Sequence, residues 1–165
     1  MRLLWIVCMA APALLLAFAE AQKLPTKLIY NGSESAPLGF YWIQKSPLKR
    51  GDYVLTNVPA KVIILMEQRG YLPRNAPLLK QIIAVEGDVI CRRKREILLN
   101  GVTIAVAKLV DQSGRRLPIW QGCYRLKSDE LFLLQGHPDS FDGRYFGPVK
   151  RSLVIGKAAK LRFPG

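Results

Sequence analysis

An uninterrupted apolar run over residues 3–19, behind a single arginine at position 2, is the strongest constraint on the fold. A helix of about five turns with no polar face does not fit the surface of a water-soluble domain. Its length fits an export signal or a short membrane anchor, and the alanines at positions 17, 19 and 21 satisfy the small-x-small pattern of signal cleavage. The sequence therefore predicts an apolar helix within residues 1–21, as signal peptide or anchor, and one domain at residues 22–165 outside the cytoplasmic membrane.

The composition of the chain indicates a globular domain with a sizeable core, because 50% of residues are apolar and 22% are charged. The net charge of +13 suits nucleic acid, an anionic membrane surface or an acidic partner. The one dense basic cluster, residues 92–95, lacks the interleaved aromatic residues of a single-strand stacking platform, so nucleic-acid binding is not expected. With one histidine, His137, and no close-set cysteine or histidine ligands, neither a metal site nor a cofactor is expected.

Short segments rich in aromatic and β-branched residues, separated by glycine, proline and asparagine, predict a mainly β domain. The predicted strands are residues 40–43, 52–56, the two halves of 78–90, 97–104, 123–126, 131–134 and 153–155. Asn100-Gly101 is the strongest short hairpin signal in the chain. One short helix is predicted at residues 59–69. Pro59 suits its first turn, apolar residues follow, and Gly70 marks its end.

The turn at residues 30–42, YNGSESAPLGFYW, presents two hydroxyls, Ser33 and Ser35, between residues that favour irregular backbone. From the turn alone, either serine is a turn former or Ser35 is a nucleophile. If Ser35 attacks a carbonyl, its own N–H and the Ser33 hydroxyl are candidate donors for the oxyanion.

Lys80 lies in an apolar run, LLKQIIA, and two interpretations of it stay open. Either its amine reaches solvent at a strand edge, or the amine is buried, in which case desolvation lowers its pKa. A neutral buried amine can take a proton from a serine, which is the Ser-Lys variant of serine hydrolysis and needs no histidine.

The last polar cluster, residues 136–149, contains Asp142 and Arg144. These side chains are either a solvated surface pair or a network that holds Ser140 against Lys80. Outside the cytoplasm Cys91 and Cys123 can form a disulfide, and the sequence leaves their pairing open.

Four segments in order, SESAPLG, RGDYVLTNVP, LLKQIIAVEGDVI and SFDGRYFGPV, resemble the type I signal peptidases. The RGYLP segment and the short interval between the last two motifs are more similar to the TraF-type conjugal transfer peptidases of that superfamily. The alanine and proline after Ser35 depart from the housekeeping enzymes, so general preprotein processing is not expected. The resemblance implies the following roles: Ser35 as nucleophile, Lys80 as general base, Ser33 and Ser35 at the oxyanion hole, and Ser140, Asp142 and Arg144 as supporting residues.

The resemblance also implies a signal-peptidase-like antiparallel β fold at the periplasmic face of the bacterial inner membrane. Its implied substrate is a pilin precursor, which is cut and, by acyl transfer to its own amino terminus, can be closed into a ring. The alternative is a non-catalytic, basic, membrane-associated component of a conjugation or secretion apparatus. The two hypotheses differ in whether the Ser35 and Lys80 side chains meet.

Overall fold

The computed structural model describes residues 28–33, 36–71 and 76–162. The predicted helix within residues 1–21 and the candidate nucleophile Ser35 lie outside the described residues. None of the helices within the described ranges is long and apolar enough to cross a membrane.

The described chain forms two antiparallel sheets and two short α-helices. The larger sheet contains β1 (Leu28–Asn31), β2 (Gly39–Gln44), β3 (Tyr53–Thr56), β4 (Leu78–Ala84), β9 (Glu130–Leu134), β10 (Val149–Lys150) and β11 (Val154–Lys160), in the order β1-β2-β11-β3-β4-β9-β10. The smaller sheet contains β5 (Val89–Arg93), β6 (Glu96–Leu99), β7 (Val102–Val106) and β8 (Gly122–Arg125), in the order β7-β6-β5-β8. The helices are α1 (Ala60–Gln68) and α2 (Gly143–Phe146), and a 3-10 turn covers Arg151–Leu153.

This architecture confirms the mainly antiparallel β fold expected from the sequence. The predicted helix is α1, and the predicted hairpin joins β6 to β7 through Asn100 at φ 51° and Gly101 at φ 89°. The structure adds β1, β10 and α2, which the sequence patterns did not indicate, and the last strand continues to Lys160 rather than ending at residue 155.

The two sheets share a core. Ala84 of β4 and Phe132 and Leu134 of β9 pack with Ile90 and Ile97 of the smaller sheet. A second cluster, which includes Val62 and Met66, packs α1 against β3, β4 and β9. Burial of these side chains stabilises the domain and fixes β4 in the interior of the larger sheet.

Candidate active site

Lys80 points from the middle of β4 into the protein interior. β4 pairs with β3 on one side and β9 on the other, and Lys80 shares its buried face with Leu78 and Ile82. Only 4% of Lys80 is exposed, so the interpretation of an edge lysine that reaches solvent does not hold. Burial lowers the pKa of its amine from 10.5 to about 8, while Asp142 acts to raise that pKa and Arg144 to lower it.

Ser140 provides the hydrogen-bond partner of this amine. The Lys80 Nζ atom donates to the Ser140 Oγ atom at 2.7 Å, and the serine is 3% exposed. The two residues are 60 positions apart in the chain. The fold therefore joins two of the residues singled out from the sequence and orients the lysine amine.

Asp142 and Arg144 form a buried ion pair beside this contact. The Asp142 Oδ2 atom accepts from the Arg144 Nη1 atom at 2.8 Å and from the Gln135 backbone N–H at 3.0 Å. The Arg144 backbone N–H donates to Asp142 Oδ1, which caps α2. Burial raises the pKa of the Asp142 carboxyl, and the charges of Arg144 and Lys80 oppose that rise. The pair is a buried network rather than a solvated surface pair.

The Arg144 guanidinium fixes the loop that leads to Ser140. Its two Nη atoms donate to the carbonyl oxygens of Gln135 at 2.7 Å, His137 at 3.2 Å and Ser140 at 3.4 Å. The helix lies close to β9 because Gly143 has no side chain: a Cβ there would be 2.5 Å from the Leu133 carbonyl oxygen. Any larger residue would push α2, and Arg144 with it, away from the sheet.

The turn that carries Ser33 is held by Asn31. The Asn31 Nδ2 atom donates to the carbonyl oxygens of Ser33 and Ala36 at 2.9 Å each and of Pro37 at 3.3 Å. The Ser33 hydroxyl donates to Asn31 Oδ1 at 2.9 Å. Asn31 thus ties together the described residues on the two sides of the turn, 31–33 and 36–37.

One cavity of about 980 Å³ brings the turn and the lysine together. Its lining includes Ser33, Lys80 and Ser140, together with apolar side chains such as Ile29 and Leu55. A cavity of this size, in which apolar side chains alternate with polar and charged ones, is a candidate binding site.

The wall opposite the turn is a loop that is tied to the end of α1. Asp111 in this loop accepts from the Tyr71 hydroxyl and from Arg115 Nε, and Arg69 lies 3.9 Å from its carboxylate. These hydrogen bonds, Tyr71 first, lower the pKa of Asp111. Lys108, also in the cavity lining, pairs with Asp139. The carboxylates of this wall are therefore already paired with cations.

Cys91 and Cys123 form a disulfide between β5 and β8, where the two residues are direct partners in the register.

The four residues of the basic cluster at 92–95 differ in burial: Arg92 is buried, and the other three are exposed. Within the described residues no group of three or more histidine, cysteine, aspartate or glutamate side chains is placed to hold a metal ion.

Sequence reasoning missed Asn31, Gln135, Tyr71 and Asp111. Asn31 had a usable signal, since asparagine commonly bonds to backbone groups in turns. Gln135 had no such signal, because its role depends on a contact between distant segments that only the fold creates. The Gln135 Nε2 atom donates to the carbonyl oxygen of Leu79 in β4 at 3.0 Å.

Comparison with known proteins identifies the family of this chain. The family model described as signal peptidase, peptidase S26 matches residues 1–163. The plasmid transfer protein TraF of Escherichia coli is 33% identical over 165 residues, covering 93% of this chain and 92% of that protein. The conjugal transfer protein TraF of Agrobacterium fabrum is 30% identical over 139 residues, covering 78% of each.

Among solved structures, a signal peptidase I from Enterococcus faecalis is similar at 19% identity and a TM-score of 0.39, covering 69% of this chain and 98% of that one. The family model spans nearly the whole chain, and the TraF relatives align along most of their own length. The chain therefore belongs to the signal peptidase family, peptidase S26, and within it to the TraF type.

Proposed function

We propose that this protein is a serine endopeptidase with a Ser-Lys dyad that processes a pilin precursor during conjugative plasmid transfer. The observation that carries the proposal is the buried contact between Lys80 and Ser140, in which a lysine with a pKa of about 8 faces the cavity beside the Ser33 turn. An amine of this kind serves as a general base near neutral pH. The family and the plasmid and conjugal transfer relatives support the peptidase class and the biological setting.

In the proposed reaction the neutral Lys80 amine accepts the proton of the Ser35 hydroxyl as the Ser35 oxygen attacks a peptide carbonyl carbon. The resulting oxyanion accepts hydrogen bonds from the Ser35 N–H and the Ser33 hydroxyl. The Ser33 hydroxyl must turn away from Asn31 to do so. The Lys80 ammonium then gives its proton to the leaving amine, which leaves an acyl-enzyme on Ser35.

Ser140, Asp142 and Arg144 support this step without touching the substrate. Ser140 accepts from the lysine and fixes the direction of its lone pair once the amine is neutral. Asp142 and Arg144 hold the loop and helix on either side of Ser140. The buried Lys80–Ser140 contact supports a base that is oriented before substrate binds, and such orientation lowers the entropic cost of the proposed reaction.

The test is processing of a pilin precursor by the purified full-length protein and its variants. Ser35→Ala and Lys80→Ala should each lower the rate by about 10⁴-fold or more, and Lys80→Arg should fail as well because a guanidinium stays protonated. The exposed residues Ser152 and Lys61 provide the matched controls Ser152→Ala and Lys61→Ala, which should process at the wild-type rate. A wild-type rate in either alanine variant of the dyad would refute the Ser-Lys assignment, and no processing by the wild-type protein would favour the non-catalytic alternative.

The acyl-enzyme has two possible fates in this proposal. Water yields a linear pilin, and attack by the pilin's own amino terminus yields a ring. Transfer can compete with water because a bound amine reaches an effective molarity of roughly 10⁵ to 10⁸ M. The cavity of about 980 Å³ supports this outcome, since it extends from the Ser33 turn to the Asp111 wall. Mass spectrometry should find a product lighter by one water than the linear chain cut at the same bond; only the hydrated product would refute cyclisation.

The proposed location is the periplasmic face of the bacterial inner membrane. Leu28, Tyr30, Phe40 and Trp42 form an exposed apolar surface on β1 and β2, the strands on either side of the Ser33 turn. The net charge of +13 adds attraction to anionic lipid, about 1 kcal/mol for each basic residue near the surface. Vesicle flotation should show stronger binding to anionic than to neutral vesicles, and equal binding would contradict the proposal.

A further inference from the structure

Two donors outside the cavity hold the backbone of α2. Arg92 of β5 donates from Nη1 to the Arg144 carbonyl oxygen at 2.6 Å, and Trp120 donates from Nε1 to the Gly143 carbonyl oxygen at 2.9 Å. These are consecutive carbonyls of a helix that has only one turn and that begins at the Asp142 cap. A four-residue helix has little internal hydrogen bonding, so donors from outside contribute strongly to fixing its position.

Arg92 is a buried cation whose hydrogen bonds all go to backbone oxygens. It is 2% exposed, and besides Arg144 it donates to the carbonyls of Lys94 at 3.1 Å and Pro118 at 3.2 Å. Within the described residues it forms no ion pair, and its Nη2 atom lacks a hydrogen-bond partner. An apolar residue of similar volume would fill such a position at lower cost in free energy. Stability alone therefore does not account for a guanidinium here, and its contact with α2 offers another reason.

The disulfide joins the two segments that provide these donors. Cys91 directly precedes Arg92 in β5, and Cys123 follows Trp120 by three residues, at the start of β8. The Trp120 ring also packs edge-on against Phe132 of β9, which anchors it to the larger sheet. The disulfide thus fixes the Arg92 strand relative to the Trp120 segment while both hold α2.

We propose that Arg92 and Trp120, linked through the Cys91–Cys123 disulfide, are positioning residues that hold α2 so that Ser140 stays against Lys80. The path consists of direct hydrogen bonds: the two donors fix the carbonyls of α2, and the Arg144 side chain on that helix donates to the Ser140 carbonyl at 3.4 Å. We call Arg92 and Trp120 the α2 clamp. Its catalytic consequence rests on the proposed function, whereas its effect on the lysine does not.

A loosened clamp has a predictable effect on Lys80. When α2 shifts, Ser140 moves off the amine and water reaches it. Because burial is the largest cause of the low pKa, hydration returns that pKa toward 10.5, and the charged groups acting on the amine, Asp142 and Arg144, oppose each other. A rise of one pH unit leaves about tenfold less neutral amine at pH 7. The rate constant kcat at pH 7 should then fall by about tenfold, with KM unchanged, and the loss should shrink above about pH 8 and nearly vanish by about pH 10.

The experiment is a pH titration of the full-length chain carrying [13Cε]lysine, followed by NMR, with the Lys80 signal assigned by its absence in Lys80→Met. Trp120→Phe keeps a six-membered aromatic ring and removes the five-membered part of the indole together with its N–H donor, and Arg92→Met removes the guanidinium. Two controls on the same sheet remove groups that are not seen to touch α2 in the described residues. Arg93→Met changes an exposed position, and Tyr124→Phe removes a hydroxyl that donates to the Gln121 carbonyl oxygen while it keeps the ring that packs against Trp120. Both clamp variants should raise the Lys80 midpoint by about one pH unit, and both controls should leave it unchanged.

A Lys80 midpoint at the wild-type value in Trp120→Phe overturns the clamp, as does an equal rise in the two controls. If Arg92→Met does not fold, Trp120→Phe still decides the matter, because phenylalanine keeps an aromatic side chain at this position while the N–H donor is lost. Dithiothreitol, which supplies two electrons and two protons to turn the disulfide into two thiols, should raise the wild-type midpoint too. No change on reduction removes the disulfide from the proposal. The titration needs no substrate, so a failed Ser35 assignment and a failed clamp give different results.

Discussion

Replacing Lys80 by methionine should change how the stability of the protein depends on pH. The folded chain holds the lysine pKa at about 8, whereas the unfolded chain restores it to 10.5. Below pH 8 the amine is protonated in both states, so the folded state carries the full cost of burying a charge. Between pH 8 and 10.5 the unfolded state binds more protons than the folded state, and the free energy of unfolding therefore rises with pH.

The size of this rise follows from the two pKa values. At 1.36 kcal/mol for each pH unit, Lys80 should add about 2 to 3 kcal/mol to the free energy of unfolding between pH 7 and pH 10. Lys80→Met removes the titrating group, so the variant should gain stability relative to wild type at pH 7 and lose most of that relative gain by pH 10. Loss of the hydrogen bond to Ser140 shifts the variant by a similar amount at every pH and does not affect the comparison.

Urea unfolding at several pH values between 7 and 10 measures the effect. With a slope of about 2 kcal/mol per molar urea, the difference in midpoint between variant and wild type should move by roughly 1 M across this window. Lys61, an exposed lysine on α1, provides the control Lys61→Met, which should follow wild type throughout. Parallel curves for Lys80→Met and wild type would refute the reasoning, because they would show that the lysine titrates in the same way in both states.

The remaining predictions concern activity on the pilin precursor. The rate should rise about tenfold per pH unit up to about pH 8 and level off above it, since Lys80 acts in its neutral form; a rate that falls over this range would exclude that form as the base. Ser33→Ala should lower the rate by about 10² to 10³ as expected for one oxyanion donor, and a wild-type rate would remove Ser33 from the site. Ser140→Ala should lower it less, by about tenfold, as expected for one hydrogen bond to the base, which steady-state kinetics will resolve. Chelators should leave the rate unchanged, and inactivation that added zinc reverses would refute a Ser-Lys mechanism.

Short sequence patterns predicted those turns and helix ends that depend mainly on neighbouring residues. Asn100-Gly101 indicated the β6–β7 hairpin because only residues that tolerate positive φ suit such a turn. Pro59 and Gly70 marked the ends of α1 for similar reasons. β1 was missed because its four residues gain their structure from pairing with β2, with Leu28 opposite Trp42. Exposed and half-buried positions alternate along β1, but Leu, Ile and Tyr follow one another, so the sequence shows no alternation of apolar and polar residues.

The state of Lys80 could not be decided from its own segment. Whether a lysine in LLKQIIA is buried depends on whether β4 is an edge or an interior strand, and that is settled by β9, which lies about fifty residues later. The burial of Arg92 could not be predicted for the same reason. The sequence does not distinguish it from the three basic residues that follow, and its acceptors include the carbonyl oxygens of residues 118 and 144, which are distant in the chain. Long-range pairing, rather than composition, decided both cases.

Asp142 and Arg144 are best understood as one unit in their effect on the lysine. Asp142 acts to raise the pKa of Lys80 and Arg144 acts to lower it, so the two members of the ion pair at 2.8 Å oppose each other, and burial is the largest cause of the low pKa. The pair can therefore fix the backbone around Ser140 through its hydrogen bonds, while the effect of Asp142 in raising the pKa of the lysine amine is opposed by Arg144. Removing one partner would leave the other charge buried and unpaired, which is costly. It would also change the pKa of Lys80: the pKa would fall if Asp142 were removed and rise if Arg144 were removed. The positions of α2 and of its two neighbouring charges are therefore a condition for a neutral lysine, and so for the proposed chemistry.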